Sequence, residues 1–237
     1  MAGAGRVLVT RPEPGASHTA GRLKELGFTP IVLPLSETVP VAAETPTGQY
    51  DAVAVTSVNA VRHADSALVA RLVHLPAFAV GGKTAAAARA AGFADVTAAE
   101  GDGEALAAEL SCALRPGAHV LYLAGKVRRP DFEGRARAAG LALTVRETYD
   151  TAAIDYADVR ERLAEGQIEI ALIYSVLAAE ALIGLAERPE ISGFFEKTRF
   201  LCLSSRIFES LPERWKARAL ISQRPEEQAL FDLLAAL

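Results

Sequence analysis

The feature that most limits this chain is a recurring unit: a short apolar run, a stop at small polar or glycine residues, then a helical run. Val53–Val55 ends at Thr56-Ser57-Val58-Asn59, and a helical run starts near Ala60. Phe78–Val80 ends at Gly81-Gly82-Lys83-Thr84, before an alanine-rich helix. Later, Ala171–Leu182 (ALIYSVLAAEAL) and Phe200–Leu211 (FLCLSSRIFESL) repeat the pattern in the same order. Val7–Pro12 resembles Val120–Leu123 with Gly125 and Arg129-Pro130, and Val96–Leu110 resembles Ala219–Leu234. The segments are offset by roughly 115–120 positions, too few copies for a solenoid, which needs about three or more units. Strands alternating with helices build parallel sheets with right-handed crossovers. The expectation is an α/β chain of two similar parallel-sheet domains, flavodoxin- or Rossmann-like. Ligands of such sheets sit just beyond the carboxyl ends of the strands, so the polar stops are the candidate binding residues.

The order of the segments makes one domain discontinuous. Stretches rich in proline or polar residues, Leu35–Val41 and Arg146–Thr151, enclose the inner block. The simplest packing makes 41–145 an inserted domain and joins 1–36 to 150–237 as the other. Residues 35–41 and 145–151 would then form a two-stranded antiparallel β connector acting as a hinge. Within this frame Ser17 is expected to cap a helix carrying Ala20, Leu23 and Leu26 on one face, closed by Gly27. Ala94–Val96 is an expected strand, Asp102 an expected cap for a helix over Ala105–Leu114, and Leu141–Val145 an extended segment. Asp155 is expected to cap a helix that Gly166 stops, and Pro225 to sit in the first turn of a last helix ending at Ala236.

Half of the 237 residues are hydrophobic, enough for two small cores. No run reaches the roughly 18 apolar residues of a membrane helix. The leading MAGAGR has no apolar signal region, so a cytoplasmic location without a membrane partner is expected. A net charge of −4 argues against nucleic acid as a partner. The closely spaced Lys126, Arg128, Arg129, Arg135 and Arg137 read as a solvated helix face or as a local basic pocket. Cys112 and Cys202 read as buried reduced thiols. No exposed apolar repeat marks a dimer seam, so a monomer is expected.

Several signatures are missing. Gly101-Asp102-Gly103 lacks the third glycine of a dinucleotide loop, where Leu106 stands. Gly125-Lys126 is no Walker loop, because Val120 and Val127 occupy the defining positions. No Gly-x-Ser-x-Gly elbow occurs, and His18, His63, His74 and His119 have no zinc spacing. Neither metal nor organic cofactor is expected. What remains is the set of strand-end stops: Thr10-Arg11, Thr56-Ser57 with Asn59, Gly81 with Lys83-Thr84, Gly125-Lys126, Tyr174-Ser175, and Ser204 with Arg206. Helix N-terminal amides at such turns favour carboxylates. Any one Ser or Thr serves equally well as a plain helix cap; the collection across both halves says more than any member.

At these residues the chain resembles the uroporphyrinogen-III synthase family. The resemblance is carried by Val9–Pro12, Leu26-Gly27-Phe28, Leu33-Pro34-Leu35, Thr56–Val61, Ala79–Ala85, Gly92-Phe93, Glu100-Gly101-Asp102, Leu121-Tyr122-Leu123 with Gly125, Arg129-Pro130 and Glu147–Thr151. It implies two α/β domains joined by a two-stranded ladder, an active site in the cleft, and a small-molecule substrate, hydroxymethylbilane, a linear tetrapyrrole fringed with carboxylates. The reaction implied loses water, inverts the terminal ring and closes the macrocycle without a cofactor. A family tyrosine thought to assist loss of the hydroxyl maps to Tyr149, and a cleft threonine maps to Thr84. A phenol stays protonated at neutral pH, so it serves as a hydrogen-bond donor; the other reading of Tyr149 is a hinge aromatic that packs between the domains. The chain departs from the family at Ile207, where relatives carry threonine, and at Tyr174, where the first copy has Thr56. Arg206 could replace a lost hydroxyl contact by pairing with a substrate carboxylate. The competing function is a non-catalytic tetrapyrrole- or polyanion-binding protein.

Overall fold

The computed structural model describes residues 5–42, 47–164 and 166–237. Met1–Ala4 of the leading stretch and residues 43–46 of the expected inserted domain lie outside the described residues. The chain divides into two units, one formed by residues up to Glu37 with Ala152–Leu237, the other by Thr38–Thr151. It enters the first unit through β1 (Arg6–Val9), α1 (Gly15–Glu25) and β2 (Thr29–Val32). After β3 (Ser36–Pro40) come β4 (Ala52–Val55), α2 (Val58–Arg62), α3 (Ser66–Leu72), β5 (Ala77–Val80), α4 (Gly81–Ala90) and β6 (Val96–Ala99). The second unit continues with α5 (Gly103–Ala113), β7 (His119–Gly125), α6 (Asp131–Ala138) and the long β8 (Ala142–Ala153). The first unit is completed by α7 (Val159–Leu163), β9 (Ile170–Ile173), α8 (Val176–Ala186), a 3-10 turn at Ser192–Phe195, β10 (Arg199–Cys202), α9 (Ser205–Ser210), α10 (Glu213–Lys216), β11 (Ala219–Ile221) and α11 (Glu227–Ala235).

The repeat seen in the sequence is a repeat of topology. The first unit's sheet runs β2-β1-β9-β10-β11, all parallel, and the second unit's runs β8-β7-β4-β5-β6, also parallel, with β3 added beside β8. Counted from its own first strand, the first unit has the flavodoxin order 2-1-3-4-5. The second has the same spatial order with its chain start moved to the third strand. Each sheet therefore reverses its order at one place, between β1 and β9 in the first unit and between β7 and β4 in the second. Beside β8, Val41 N–H donates to the Thr148 carbonyl and Ile154 N–H to the Leu35 carbonyl, so these two segments run in opposite directions.

Both faces of each sheet are buried, which is why the strands read as unbroken apolar runs. Ala52, Ala54, Val120 and Tyr122 share one face of the second sheet with Leu106 and Phe132. Val53, Val55, Leu121 and Leu123 share the other with Leu68 and Phe93. In the first unit Leu8, Ala171, Ile173 and Phe200 face one core, and Val7, Val9, Leu172 and Leu201 the other.

Local expectations fare unevenly, for physical reasons. Asp102 caps α5 as expected, accepting from the Glu104 and Ala105 amides. Ser17 is no cap: α1 begins at Gly15, and Glu13 accepts from both the Ser17 amide and its hydroxyl. Asp155 lies ahead of α7 and pairs instead with Arg188. The strand expected at Ala94–Val96 is β6, Val96–Ala99, in register with β5. Gly81–Thr84 is the first turn of α4 rather than a free loop; Gly81 has φ of +71°, which lets the helix leave the strand abruptly. Cys202 is buried, and burial pushes its thiol up to about 12, whereas Cys112 is exposed, against expectation.

Trp215, the chain's single tryptophan, is buried and stacked on Phe200 with ring centroids 4.2 Å apart. Leu8, fully buried in the same cluster, is expected to cost about 2–5 kcal/mol when cut to alanine. Urea titration followed by tryptophan fluorescence should show the midpoint falling in Leu8→Ala; an unchanged midpoint would remove Leu8 from the core.

Candidate active site

A one-residue irregularity aims Tyr149. Strand β8 pairs with β7 from Ala142 to Glu147 in simple register, but Gly125 pairs with Tyr149, so Thr148 is skipped. Leu143 and Val145 pack on the Leu106–Phe132 face, and strict alternation would send Tyr149 to that face too. The bulge turns it over, and the Tyr149 ring packs on the Val53–Leu121 face. Thr148, buried at the bulge, donates its hydroxyl to the Ala60 carbonyl at 2.8 Å. Across the ladder, a Cβ built on Gly125 would lie 2.6 Å from the Tyr149 ring, so only glycine lets ring and backbone meet. The Tyr149 hydroxyl donates to Ser57 Oγ at 3.2 Å.

That hydroxyl opens onto a cavity of about 740 Å³ within the second unit, at the carboxyl ends of β4, β5, β6 and β7. The place is the switch point of the sheet, where helices on either side of the reversal leave a crevice. On the wall Thr56 Oγ1 and Tyr122 Oη share a 2.8 Å hydrogen bond. Burial pushes the Tyr122 phenol up, and the Thr56 bond opposes this only in part, so it stays neutral. Ser57 caps α2, accepting the Asn59 amide at 3.2 Å. The starts of α5 and α6 close the far side, near enough that a Cβ on Gly103 would sit 3.0 Å from Phe132 Cβ.

Charges on this wall are mostly committed. Arg128 Nη1 donates to the Gly125 and Lys126 carbonyls and to Glu147 at 2.8 Å, while its Nε donates to Glu133 at 2.7 Å. It thereby ties the β7–α6 loop to α6 and β8. Burial works against the Arg128 charge, but the two carboxylates outweigh it. Arg135 pairs with Glu104 at 2.7 Å. Arg129 has no hydrogen-bond or ion-pair partner among the described residues.

The equivalent crevice of the first unit is filled from within. At its switch point Glu227 accepts from Arg11 at 2.7 Å, Arg22 at 3.0 Å, Tyr174 at 3.3 Å and the Thr19 hydroxyl. The Arg11 guanidinium lies 4.8 Å from the Tyr174 ring centre. Burial pushes the Tyr174 phenol up to about 12. Burial also raises the Glu227 carboxyl, but the Thr19 bond and the Arg11 charge hold it below its ordinary 4.5.

The residues singled out in the sequence thus fall into separate groups. Thr56, Ser57 and Tyr149 line the second unit's cavity, Gly125 seats the tyrosine, and Asn59 lends its amide to Ser57. Lys126 is exposed and pairs with Asp150 at 3.1 Å. Gly81, Lys83 and Thr84 lie in the first turn of α4, with Thr84 buried and off the cavity wall. In the first unit Thr10 is buried with its hydroxyl on the Leu172 carbonyl, and Arg11 and Tyr174 belong to the Glu227 network. Ser175 caps α8 through the Ala178 amide. Ser204 stands at the start of α9, Arg206 is exposed, and Ile207 is buried in the core. In the sequence Tyr122 stands out only within the Leu121–Leu123 match, Arg128 only within the basic cluster, and Glu227 not at all. Among the described residues no helix is long and apolar enough to cross a membrane, and no group of metal-ligating side chains occurs.

Two parallel sheets of one spatial order make this an α/β protein of two like units, and the switch point of such a sheet is where α/β proteins in general hold ligands. The family model described as Uroporphyrinogen-III synthase HemD matches residues 17–232, and the chain belongs to the uroporphyrinogen-III synthase family. The fold is that of the uroporphyrinogen-III synthetase of Helicobacter pylori 26695, with 18% identity, a TM-score of 0.66, and coverage of 98% of this chain and 99% of that one. A mutant uroporphyrinogen III synthase from the extremely thermophilic bacterium Thermus thermophilus aligns at 19% identity and a TM-score of 0.48, over 98% of this chain and 97% of that one. No curated protein matches in a sequence search.

Gly125→Ala forces Tyr149 off its seat, and turnover should fall at least tenfold while the thermal midpoint moves little; unchanged turnover would separate ring placement from activity. Glu227 stabilises the first unit fully above its unfolded value near 4.5, and this is lost as the pH falls through the lower folded value. Glu227→Gln should therefore be less stable at pH 7 and lose less stability below pH 4.5, read by acid titration of Trp215 fluorescence.

Proposed function

We propose that the chain converts hydroxymethylbilane to uroporphyrinogen III, with the second unit's cavity holding part of the substrate and Tyr149 assisting loss of its hydroxyl. The observation that carries this reading is the Tyr149 hydroxyl, turned by a bulge to the cavity and resting on Ser57. With substrate present, the same O–H donates to the departing hydroxyl instead. The electron-rich pyrrole expels that group, with a proton, as water, leaving an azafulvene. The terminal ring attacks the azafulvene methylene through its substituted carbon to give a spiro intermediate; the older methylene bond to that carbon then breaks, and the methylene so freed bonds to the ring's unsubstituted α carbon, which gives up its proton and leaves the ring inverted. Little acid–base power is needed. The protein's work is to hold a flexible chain curled so that the substituted carbon meets the azafulvene first. Hydroxyls and helix-start amides at the strand ends suit the substrate's carboxylates. The family match favours this enzyme over a non-catalytic tetrapyrrole binder.

The test is the isomer ratio of uroporphyrinogen formed from freshly generated hydroxymethylbilane. Isomer III should dominate with the protein and isomer I without it; isomer I alone from folded protein would favour the binding reading. Tyr149→Phe should lower kcat on the order of 100-fold with the fold intact. Full activity in that variant would leave Tyr149 a packing residue.

A further inference from the structure

Three arginines and three acids line the second unit's cavity. Arg128 is held by Glu133 and Glu147, and Arg135 by Glu104. Asp102 is engaged by the α5 amides. Two groups are left with no partner among the described residues, Arg129 and Asp131, and they flank Pro130 at the start of α6. The wall is thus close to neutral, with one uncommitted cation and one uncommitted anion side by side.

We propose that Arg129 is a specificity-determining residue, gripping one carboxylate of the substrate while Asp131 repels others from the adjoining wall. This rests on the functional reading above and names a group to which that reading gave no part. A guanidinium makes paired hydrogen bonds to a carboxylate only if it is free and held in place. Arg129 is free, and its loop is held: Arg128 clamps the Gly125 and Lys126 carbonyls on one side, and Pro130 fixes the backbone on the other. An exposed arginine on a loose loop would lose its gain to ordering entropy; this one has a fixed base. Arg128 is then a positioning residue, since the loop it clamps carries both Arg129 and Gly125, the seat of Tyr149.

The probe is uroporphyrin III, an octacarboxylate, in equilibrium titrations followed by porphyrin fluorescence, alongside turnover of hydroxymethylbilane. Arg129→Gln should weaken porphyrin binding about tenfold and raise KM similarly, with kcat within about threefold and the thermal midpoint unchanged. Arg129→Lys should recover part of the affinity, since it restores charge without the planar fork. Asp131→Asn should tighten binding, and added salt should weaken binding more in the wild type than in Arg129→Gln. Equal affinities of wild type and Arg129→Gln, or no porphyrin binding by the wild type, would overturn the proposal whether or not isomer III forms. Porphyrin binding that depends on Arg129, without formation of isomer III, would keep the carboxylate grip and sink the enzyme reading alone.

Discussion

A single extra residue in β8 decides where Tyr149 points. In a regular strand the side chain would follow Leu143 and Val145 onto one core face, and its hydroxyl would be lost from the cavity wall. The bulge at Thr148 exchanges one ladder position for that reorientation, and the Thr148 hydroxyl supplies the bond that holds the irregularity in place. Gly125 then removes the one obstacle to a phenol lying flat against the neighbouring strand. The Arg128 clamp fixes the loop that follows Gly125. Each of these groups acts on backbone first and on the phenol through it, so the placement of one hydroxyl is decided away from the cavity's centre.

The two units pose the same topological problem and solve it differently. Each sheet reverses order once, and each reversal opens a crevice at the strand ends. In the second unit the crevice is lined by hydroxyls and by charges that are mostly paired with one another, and it stays open. In the first, Glu227 from the last helix enters it and satisfies two arginines, a threonine and a tyrosine. An internal carboxylate there does what a ligand's carboxylate would do elsewhere: it pairs with the cations Arg11 and Arg22.

Much of this fold was legible in the sequence, because strands buried on both faces are continuous apolar runs and their polar stops mark the turns. Val53–Val55 and Phe78–Val80 stand where the pattern put them, within β4 and β5. Helix starts were legible where a cap was local, as at Asp102, and not where capping came from before the turn, as with Glu13 at Ser17. The site was less legible. Thr56 and Ser57 announce themselves at a strand end, but the roles of Arg11 and Thr10 were hidden, because the sequence does not say that Glu227 or the Leu172 carbonyl already occupies them. The bulge left no composition signal at all. Arg128 and Arg129 are adjacent and identical in type, yet only pairing in space tells the clamp from the free cation.

The shifted chain start has a consequence for biosynthesis. Strand β1 is made before the second unit, yet its partner β9, the central strand of the first sheet, is made only after that unit, as in the pairing of Leu8 with Ala171. The second unit is contiguous and can complete its sheet as soon as β8 leaves the ribosome. The first cannot, and holds β1 and β2 as an unfinished two-stranded edge until β9–β11 arrive. The inserted unit is therefore the one to mature early. The apolar Val7-Leu8-Val9 stretch is the part of the nascent chain most in need of shielding while it waits.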